Sequence, residues 1–278
     1  MGKKSWKFIN DIWMYSAFQL AKKFVHYYFS AKNGKGHGIH SPFVFDFVKN
    51  VLNDKKKYDC YNSIEKLRKQ LLNDNTIIAI EDFGAGSAVI PFNNRKVSAI
   101  AASSLKKKKF AQLLFRIVKY YQPANIVELG TSFGITTSYL ACASRGSKVF
   151  TLEGSKKIGE IAEANFKKLK LENIYFIQDS FERSFPELVS KIKSIDFLFI
   201  DGNHRRDATL TYFRESLKKL RPSSIFIFDD IHWSNEMEDA WKQIKAHSSV
   251  TLTIDLFFIG LVFFNPDFKI KQNFIIRY

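Results

Sequence analysis

The second half of the chain alternates short apolar runs with amphipathic stretches of helical period. The apolar runs predict seven strands, at Asn125–Leu129, Lys148–Leu152, Ile174–Ile177, Ile195–Ile200, Ser224–Phe228, Val250–Leu256 and Gly260–Phe264. The stretches between them predict helices, at Ile135–Ser144, Lys156–Leu169, Phe181–Lys191, Arg206–Leu220 and Asn235–His247. This alternation is typical of an α/β, Rossmann-like sheet that is mostly parallel. The last two strands, which no helix separates, predict an antiparallel hairpin at one edge.

The first hundred residues show a mainly helical pattern. Helices are expected there at Trp6–Phe29, Phe43–Leu52 and Ser63–Leu72, and a further helix, Leu105–Tyr121, is expected directly before the first of the seven strands. A glycine-rich turn, Glu81–Ser87, follows a short apolar run, but Pro91 and two asparagines come next, so no helix N-terminus meets a ligand there. We therefore interpret this turn as a lid or substrate loop. The expected organisation is a helical accessory region, 1–104, and a second domain, 105–278.

The composition of the chain indicates which kinds of partner and compartment suit it, but it does not identify a specific partner. Lys and Arg number 43 against 27 Asp and Glu, a net charge of +16 that favours anionic partners such as nucleic acid or acidic lipid headgroups. The helix at Trp6–Phe29 is too polar to span a bilayer, and packing on the main domain or across a homodimer is favoured over a membrane-surface anchor. Cys60 and Cys142 suggest neither a disulfide nor a zinc site, which fits the cytoplasm. His37 and His40, in a glycine-rich loop, are more typical of solvated histidines than of metal ligands.

The residues that follow the first three strands suit a nucleoside. In such sheets, ligands bind at the carboxyl ends of the strands, near the switch in strand order. Gly130 lets the backbone approach a ligand, and Gly134 opens a helix whose free N–H groups can face it. Glu128 stands where a carboxylate can accept from an ammonium group, and Glu153 where one can accept from both ribose hydroxyls. Asp179 and Ser180 follow the third strand, where a carboxylate can hold an adenine amino group.

Three segments carry a resemblance to a known family. Val127–Gly134, Thr151–Gly154 and Gln178–Ser180 resemble the cofactor motifs of class I methyltransferases, particularly the small-molecule O-methyltransferases related to catechol O-methyltransferase. The likeness covers about Leu105 to Phe264, and the first hundred residues look like the front half of uncharacterised Bacteroidetes-type members. The resemblance implies S-adenosylmethionine as cofactor. The contacts that it implies are Glu128, Gly130, Thr131, Ser132, Glu153 and Asp179.

Acidic and imidazole side chains follow the fourth and fifth strands. Asp201, Asp229 and Asp230 offer the oxygen ligands that Mg²⁺ prefers, and a bound metal ion would lower the pKa of an acceptor hydroxyl. At the matching positions the catechol-type family has a metal-binding Asp, an Asp-Asn pair, and a Lys base three residues after the first Asp. This chain has Asp230 in place of the Asn and His204 in place of the Lys, and histidine titrates near neutral pH. The residues leave open whether these carboxylates bind metal or instead cap helices and pair with arginines.

Together these features favour methyl transfer from S-adenosylmethionine to an oxygen of a small or lipid-like acceptor, with Asp201 and His204 closest to the reacting atoms. His232 and Trp233 are expected either in the wall of the acceptor pocket or in the core. A nicotinamide-dependent dehydrogenase is disfavoured, because Gly130-Thr-Ser-Phe-Gly134 is not a GxGxxG motif. A nucleic-acid methyltransferase and a non-catalytic adapter with the same fold remain the alternatives.

Overall fold

The computed structural model describes residues 14–36, 38–82 and 90–278. The first part of the helix expected at Trp6–Phe29, the loop residue His37 and most of the glycine-rich turn at Glu81–Ser87 therefore lie outside the described residues.

The strands are β1 (Ile77–Asp82), β2 (Ile90–Lys96), β3 (Asn125–Leu129), β4 (Lys148–Glu153), β5 (Ile174–Gln178), β6 (Phe197–Ile200), β7 (Ile225–Asp229), β8 (Leu252–Asp255), β9 (Ile259–Phe263) and β10 (Gln272–Ile275). The helices are α1 (Ala17–Ser30), α2 (Pro42–Phe47), which continues as a π-helical turn (Val48–Leu52), α3 (Cys60–Leu72), α4 (Val97–Ser104), α5 (Lys108–Tyr121), α6 (Ile135–Ala143), α7 (Lys156–Lys168), α8 (Phe181–Lys191), α9 (Arg206–Leu217) and α10 (Asn235–Ala246).

A mostly parallel sheet forms the centre of the molecule, as the alternating pattern predicts. Its strand order is β10-β8-β9-β7-β6-β3-β4-β5; β3 to β7 pair in parallel with one another, whereas β7 and β9 pair antiparallel. The central strands β6 and β7 are apolar at nearly every position and buried throughout, because helices cover both faces of the sheet. Ser234 caps the start of α10, because its hydroxyl accepts the backbone N–H of Met237.

The predicted count of seven strands is one short. Strand β10 pairs in parallel with β8 and lies outside the antiparallel hairpin of β8 and β9, so that hairpin is not the edge of the sheet. The sequence pattern does not mark this strand, because Gln272–Ile275 is half polar and follows a lysine-rich stretch. Its pairing depends on the neighbouring strand rather than on a hydrophobic run of its own.

The order of the strands fixes where a ligand can bind. From β3 the chain adds β4 and then β5 on one side, and it returns to place β6 and then β7 on the other side. The switch in direction therefore lies between β3 and β6, and folds of this kind bind ligands at the carboxyl ends of the strands beside such a switch. The loop at Gly130, after β3, lies directly against the loop at Asp201, after β6.

The N-terminal region is less helical than predicted and packs tightly on the sheet. Strands β1 and β2 form an antiparallel hairpin, and α4 follows it directly. The helix expected from Leu105 begins only at Lys108, because the residues before it have an extended backbone. Phe47 and Ile64 share one hydrophobic core with Leu113 of α5 and Tyr139 of α6. A boundary after residue 104 stays a prediction.

Helix α1 docks on the carboxyl-terminal part of the chain. The Phe24 ring meets Phe257 edge-on at 5.1 Å, and Lys23 Nζ lies 3.0 Å from Glu238 Oε1. The Tyr27 hydroxyl donates to the carbonyl of Ile276. The described part of this helix thus packs on the main domain, as the sequence favours. Among the described helices, none combines the length and the apolar character needed to cross a bilayer.

Candidate active site

A cavity of about 640 Å³ opens at the carboxyl ends of the central strands, a volume within the usual range for small-molecule sites. It brings together residues that are far apart in the sequence. The predicted site residues that line it are Gly130, Ser132, Glu153, Ser180, Asp201, His204, Asp229 and Asp230. The cavity therefore joins the residues predicted for a nucleoside to those predicted for chemistry.

The loop after β3 is shaped by backbone conformation. Gly130 has a φ of +105°, and a Cβ atom at this position would lie 2.4 Å from the backbone oxygen of Asp201. Only glycine therefore lets this loop approach β6 so closely. Ser132, at φ +48°, turns its N–H toward Glu153, whose Oε2 accepts it at 2.9 Å. The N–H of Ser155 donates to the other oxygen, Oε1, at 3.0 Å.

These two N–H groups hold the Glu153 carboxylate in place at the carboxyl end of β4. Burial raises the pKa of Glu153, and the N–H bonds from Ser155 and Ser132 oppose that rise. Each oxygen keeps a further lone pair for a ligand in the cavity. A carboxylate fixed in this way can accept two hydroxyl groups at once.

Three predicted cofactor contacts lie beneath the loop instead of in the cavity lining. Glu128 is fully buried, and its Oε2 accepts the hydroxyls of Thr137 at 2.5 Å and Thr151 at 2.7 Å. Burial raises the pKa of Glu128 to about 7. The Thr131 hydroxyl is bonded to that of Thr151 at 2.6 Å, and Gly134 leaves room for a phenylalanine ring from α7. These residues support the loop, and their contact with a cofactor stays a prediction.

Asp179 also lies outside the cavity lining. Its carboxylate pairs with the exposed guanidinium of Arg183 one turn into α8, and this pairing lowers the pKa of Asp179. Ser180, the next residue, does line the cavity. The adenine contact predicted for Asp179 therefore remains a prediction that would require Arg183 to release the carboxylate.

The carboxylates after β6 and β7 converge as predicted. Ligand atoms of Asp201, His204 and Asp229 all lie within 4.8 Å of one another. His204 Nε2 is 3.9 Å from Asp201 Oδ1 and 4.0 Å from Asp230 Oδ2. Asp230 has a left-handed φ of +52°, a conformation that costs free energy in a residue other than glycine and is frequent at functional sites.

Lys106 lies in the middle of this cluster, and the sequence analysis did not single it out. Its Nζ is 3.3 Å from Asp201 Oδ1 and hydrogen-bonded to Asp229 Oδ2. Its side chain is 13% exposed. Lys106 belongs to the short linker between α4 and α5, which the fold brings over the ends of β6 and β7.

The charges in this cluster depend strongly on one another. Burial and the neighbouring Asp229 carboxylate raise the pKa of Asp201 well above its usual range. Burial also tends to raise the pKa of Asp229, but the Lys106 ammonium, together with a hydrogen bond to Asp201 and the nearby His204 ring, outweighs it, so that this pKa falls below its usual value. Burial and Asp229 raise the pKa of Asp230 to about 6. Although burial opposes the charge on Lys106, the carboxylates around it raise its pKa, and it remains a cation at neutral pH.

The donor set does not fit a divalent ion in this arrangement. A metal ion here would need oxygens of Asp201 and Asp229 at about 2.0 to 2.6 Å. The Lys106 ammonium already contacts both carboxylates, and a second cation between them would repel it.

Buried polar atoms in the lining do fit an organic ligand. Within the described residues, Ser155 Oγ, Asn203 Oδ1 and Asp229 Oδ1 are buried without a hydrogen-bond partner, and all three residues line the cavity. Such atoms are costly to leave unsatisfied. The Ser155 hydroxyl can donate or accept a hydrogen bond, and the Asn203 and Asp229 oxygens can accept one, from a polar molecule in the cavity.

His232 and Trp233 are adjacent in sequence, but their side chains point to different places. Trp233 lines the cavity, which is one of the two positions that the sequence predicts for it. His232 turns away from it, with Nδ1 at 3.0 Å from Glu238 and Nε2 at 2.9 Å from Asp255. Burial alone would lower the pKa of His232, but the carboxylates of Asp255 and Glu238 outweigh it and raise that pKa to about 9. His232 therefore joins α10 to β8 and does not form part of the pocket wall.

Comparison with known proteins identifies the domain. Residues 127–231 match the family model described as "Methyltransferase domain". The chain contains a methyltransferase domain. The matched residues include every predicted site residue, from the loop after β3 to the carboxylates after β7. A curated relative, the uncharacterized protein y4gI of Sinorhizobium fredii, is 26% identical over 125 residues, which are 41% of this chain but only 14% of that protein.

Solved structures share the fold of this methyltransferase. An O-methyltransferase from Bacillus cereus, determined in complex with SAH, is 22% identical and covers 80% of this chain and 97% of its own, with a TM-score of 0.55. The SAH-bound methyltransferase PaMTH1 of Podospora anserina is 13% identical and covers 81% and 97%, with a TM-score of 0.57. The O-methyltransferase TomG of Streptomyces achromogenes, determined in complex with SAM, is 17% identical and covers 58% and 82%, with a TM-score of 0.51.

Proposed function

We propose that this methyltransferase transfers the methyl group of S-adenosylmethionine to an oxygen atom of a small-molecule acceptor. The observation that carries the proposal is Glu153, whose carboxylate two backbone N–H groups fix at the end of β4, next to the switch point of the sheet. A ribose offers two neighbouring hydroxyls, which match the two oxygens of a fixed carboxylate. Structures of the same fold that were determined with SAH or SAM support this choice of cofactor.

The cavity divides into two sides. The nucleoside side comprises Gly130, Ser132, Glu153 and Ser155, and the acceptor side comprises Lys106, Asp201, His204, Asp229 and Asp230. Apolar side chains continue the lining beside the acceptor side, namely Leu105, Phe110, Trp233 and Phe258. This mixture suits an acceptor with an apolar body and one ionisable hydroxyl.

The residues of the acceptor side can take up the proton of the acceptor hydroxyl and stabilise the charge that this transfer creates. S-adenosylmethionine supplies a methyl group on a positively charged sulfur, so transfer forms an O–C bond, breaks the S–C bond and leaves its electron pair on sulfur. His204, at the cavity surface, takes the proton of the acceptor hydroxyl. Asp201 and Asp230, each about 4 Å from the His204 ring, stabilise the imidazolium that results. A cavity that keeps the acceptor hydroxyl beside the methyl donor would accelerate the displacement by proximity alone.

A calorimetric titration with S-adenosylmethionine tests the proposal. We expect the wild type to bind with a micromolar dissociation constant, and Glu153→Gln to bind at least tenfold more weakly, because an amide offers one acceptor oxygen in place of two. Glu160→Gln is the matched control, since Glu160 is an exposed residue paired with Lys157 on α7. An absence of binding by the wild type, or equal binding by Glu153→Gln, would contradict the proposal.

A further inference from the structure

The acceptor side contains a cation that is part of the chain. Divalent ions that assist transfer to oxygen work by placing positive charge beside the acceptor oxygen. Here the space between Asp201 and Asp229, where such an ion would be bound, is taken by Lys106 Nζ. We propose that Lys106 is the resident cation of this active site, that it replaces a divalent metal between Asp201 and Asp229, and that it donates a hydrogen bond to the acceptor oxygen.

Hydrogen bonds to neighbouring helices hold the backbone around Lys106 in place. Its carbonyl accepts a hydrogen bond from Arg68 Nη1 at 2.8 Å. Arg68 Nε is 3.0 Å from Glu65 Oε1, and the same oxygen accepts the hydroxyl of Tyr139 at 2.8 Å. This chain of bonds ties the linker between α4 and α5 to α3 and α6. The ammonium is therefore positioned by the fold and does not depend on a flexible surface side chain.

The ammonium group has a donor to spare. A lysine carries three N–H groups; Asp229 Oδ2 accepts one of them, and Asp201 Oδ1 lies 3.3 Å from the nitrogen. The described residues provide no further acceptor for Lys106 Nζ, and Lys106 is among the residues that line the cavity. A hydrogen bond from this cation would favour the ionised form of an acceptor hydroxyl and stabilise the negative charge on its oxygen. This use of the ammonium rests on the proposed function, whereas the replacement of a metal does not.

Binding of Mn²⁺, measured by electron paramagnetic resonance without any nucleoside, tests the replacement. In Lys106→Ala the carboxylates of Asp201 and Asp229 and the His204 ring are left without the competing ammonium. We expect this variant to bind one Mn²⁺ at least tenfold more tightly than the wild type, and the additional change Asp229→Asn to remove the gain. Lys106→Arg, which keeps the charge, and Lys108→Ala, which changes an exposed lysine nearby, are expected to bind Mn²⁺ as weakly as the wild type.

Two results would overturn the proposal. One is that Lys106→Ala, folded by circular dichroism, gains no affinity for Mn²⁺. The other is that the wild type itself binds one Mn²⁺ tightly and loses it in Asp201→Asn, a result that decides the question even if Lys106→Ala does not fold. If the Mn²⁺ pattern is as expected but S-adenosylmethionine does not bind the wild type, the proposed function fails while the assignment of Lys106 as the resident cation stands.

Discussion

The nucleoside side of the cavity is built mainly from backbone, whereas the acceptor side is built from ionisable side chains. On the nucleoside side, a glycine at positive φ and two N–H groups arrange a single carboxylate, Glu153. On the acceptor side, Lys106 lies among three carboxyl groups and a histidine, and the pKa of Lys106 and of each carboxyl group depends on the charges of its neighbours. Geometry therefore determines recognition on the first side, while the balance of charge determines it on the second. The two sides should respond differently to substitution.

The largest effect is expected where the two sides meet. Gly130→Ala would place a methyl group 2.4 Å from the Asp201 carbonyl at a φ of +105°, so the loop after β3 must move away from β6. We expect at least a 100-fold loss of affinity for S-adenosylmethionine in a calorimetric titration. Gly146→Ala is the matched control, since a Cβ atom there meets no atom within 4 Å. Equal affinity in the two variants would show that the close approach of the loops is not required.

A smaller effect, confined to the acceptor side, is expected from Asp229→Asn. This change leaves the buried Lys106 ammonium without its closest carboxylate, and removal of one partner from a buried pair is destabilising. We expect a loss of about 2 kcal/mol in the free energy of unfolding, measured by urea denaturation. Affinity for S-adenosylmethionine should stay within about twofold of the wild type. Asp267→Asn, at an exposed carboxylate, serves as the control. A large loss of cofactor affinity would mean that the two sides are not independent.

The smallest effect is expected outside the cavity, at His232. Since its pKa of about 9 exceeds the ordinary 6.5, its pairing with Asp255 and Glu238 stabilises the fold fully below pH 6.5 and is lost as the pH rises through 9. We expect His232→Gln to lower the free energy of unfolding by about 1 to 2 kcal/mol at pH 6, with the difference shrinking toward pH 10. Denaturation curves of both proteins at these pH values measure it. A difference that does not change with pH would contradict the assignment of a charged His232.

The sequence predicts the sheet well because most of its strands are buried on both faces. Continuous apolar runs such as Phe197–Ile200 can hardly be anything other than central strands, and the acidic residues after them stand at strand ends. The side-chain directions at those ends are less predictable. Glu128 is in the expected strand, yet it turns toward two threonines because their hydroxyls satisfy a buried carboxylate.

Lys106 shows what a linear pattern leaves out. It is the first of four consecutive lysines, Lys106–Lys109, a run that is typical of a solvated surface. Only the break between α4 and α5, and the position of this linker above β6 and β7, bury the first lysine while the other three stay exposed. Burial here follows from tertiary structure, and no local feature of the sequence distinguishes the four.

We expect one cavity to hold a nucleoside at Glu153 beside a cation that the chain itself provides. A crystal structure determined with S-adenosylhomocysteine and an excess of Mg²⁺ tests this arrangement most directly. The ribose hydroxyls should lie within hydrogen-bond distance of Glu153, and Lys106 Nζ should lie between Asp201 and Asp229 with no metal ion beside it. A nucleoside bound elsewhere, or a Mg²⁺ ion between the two carboxylates with Lys106 displaced, would contradict it.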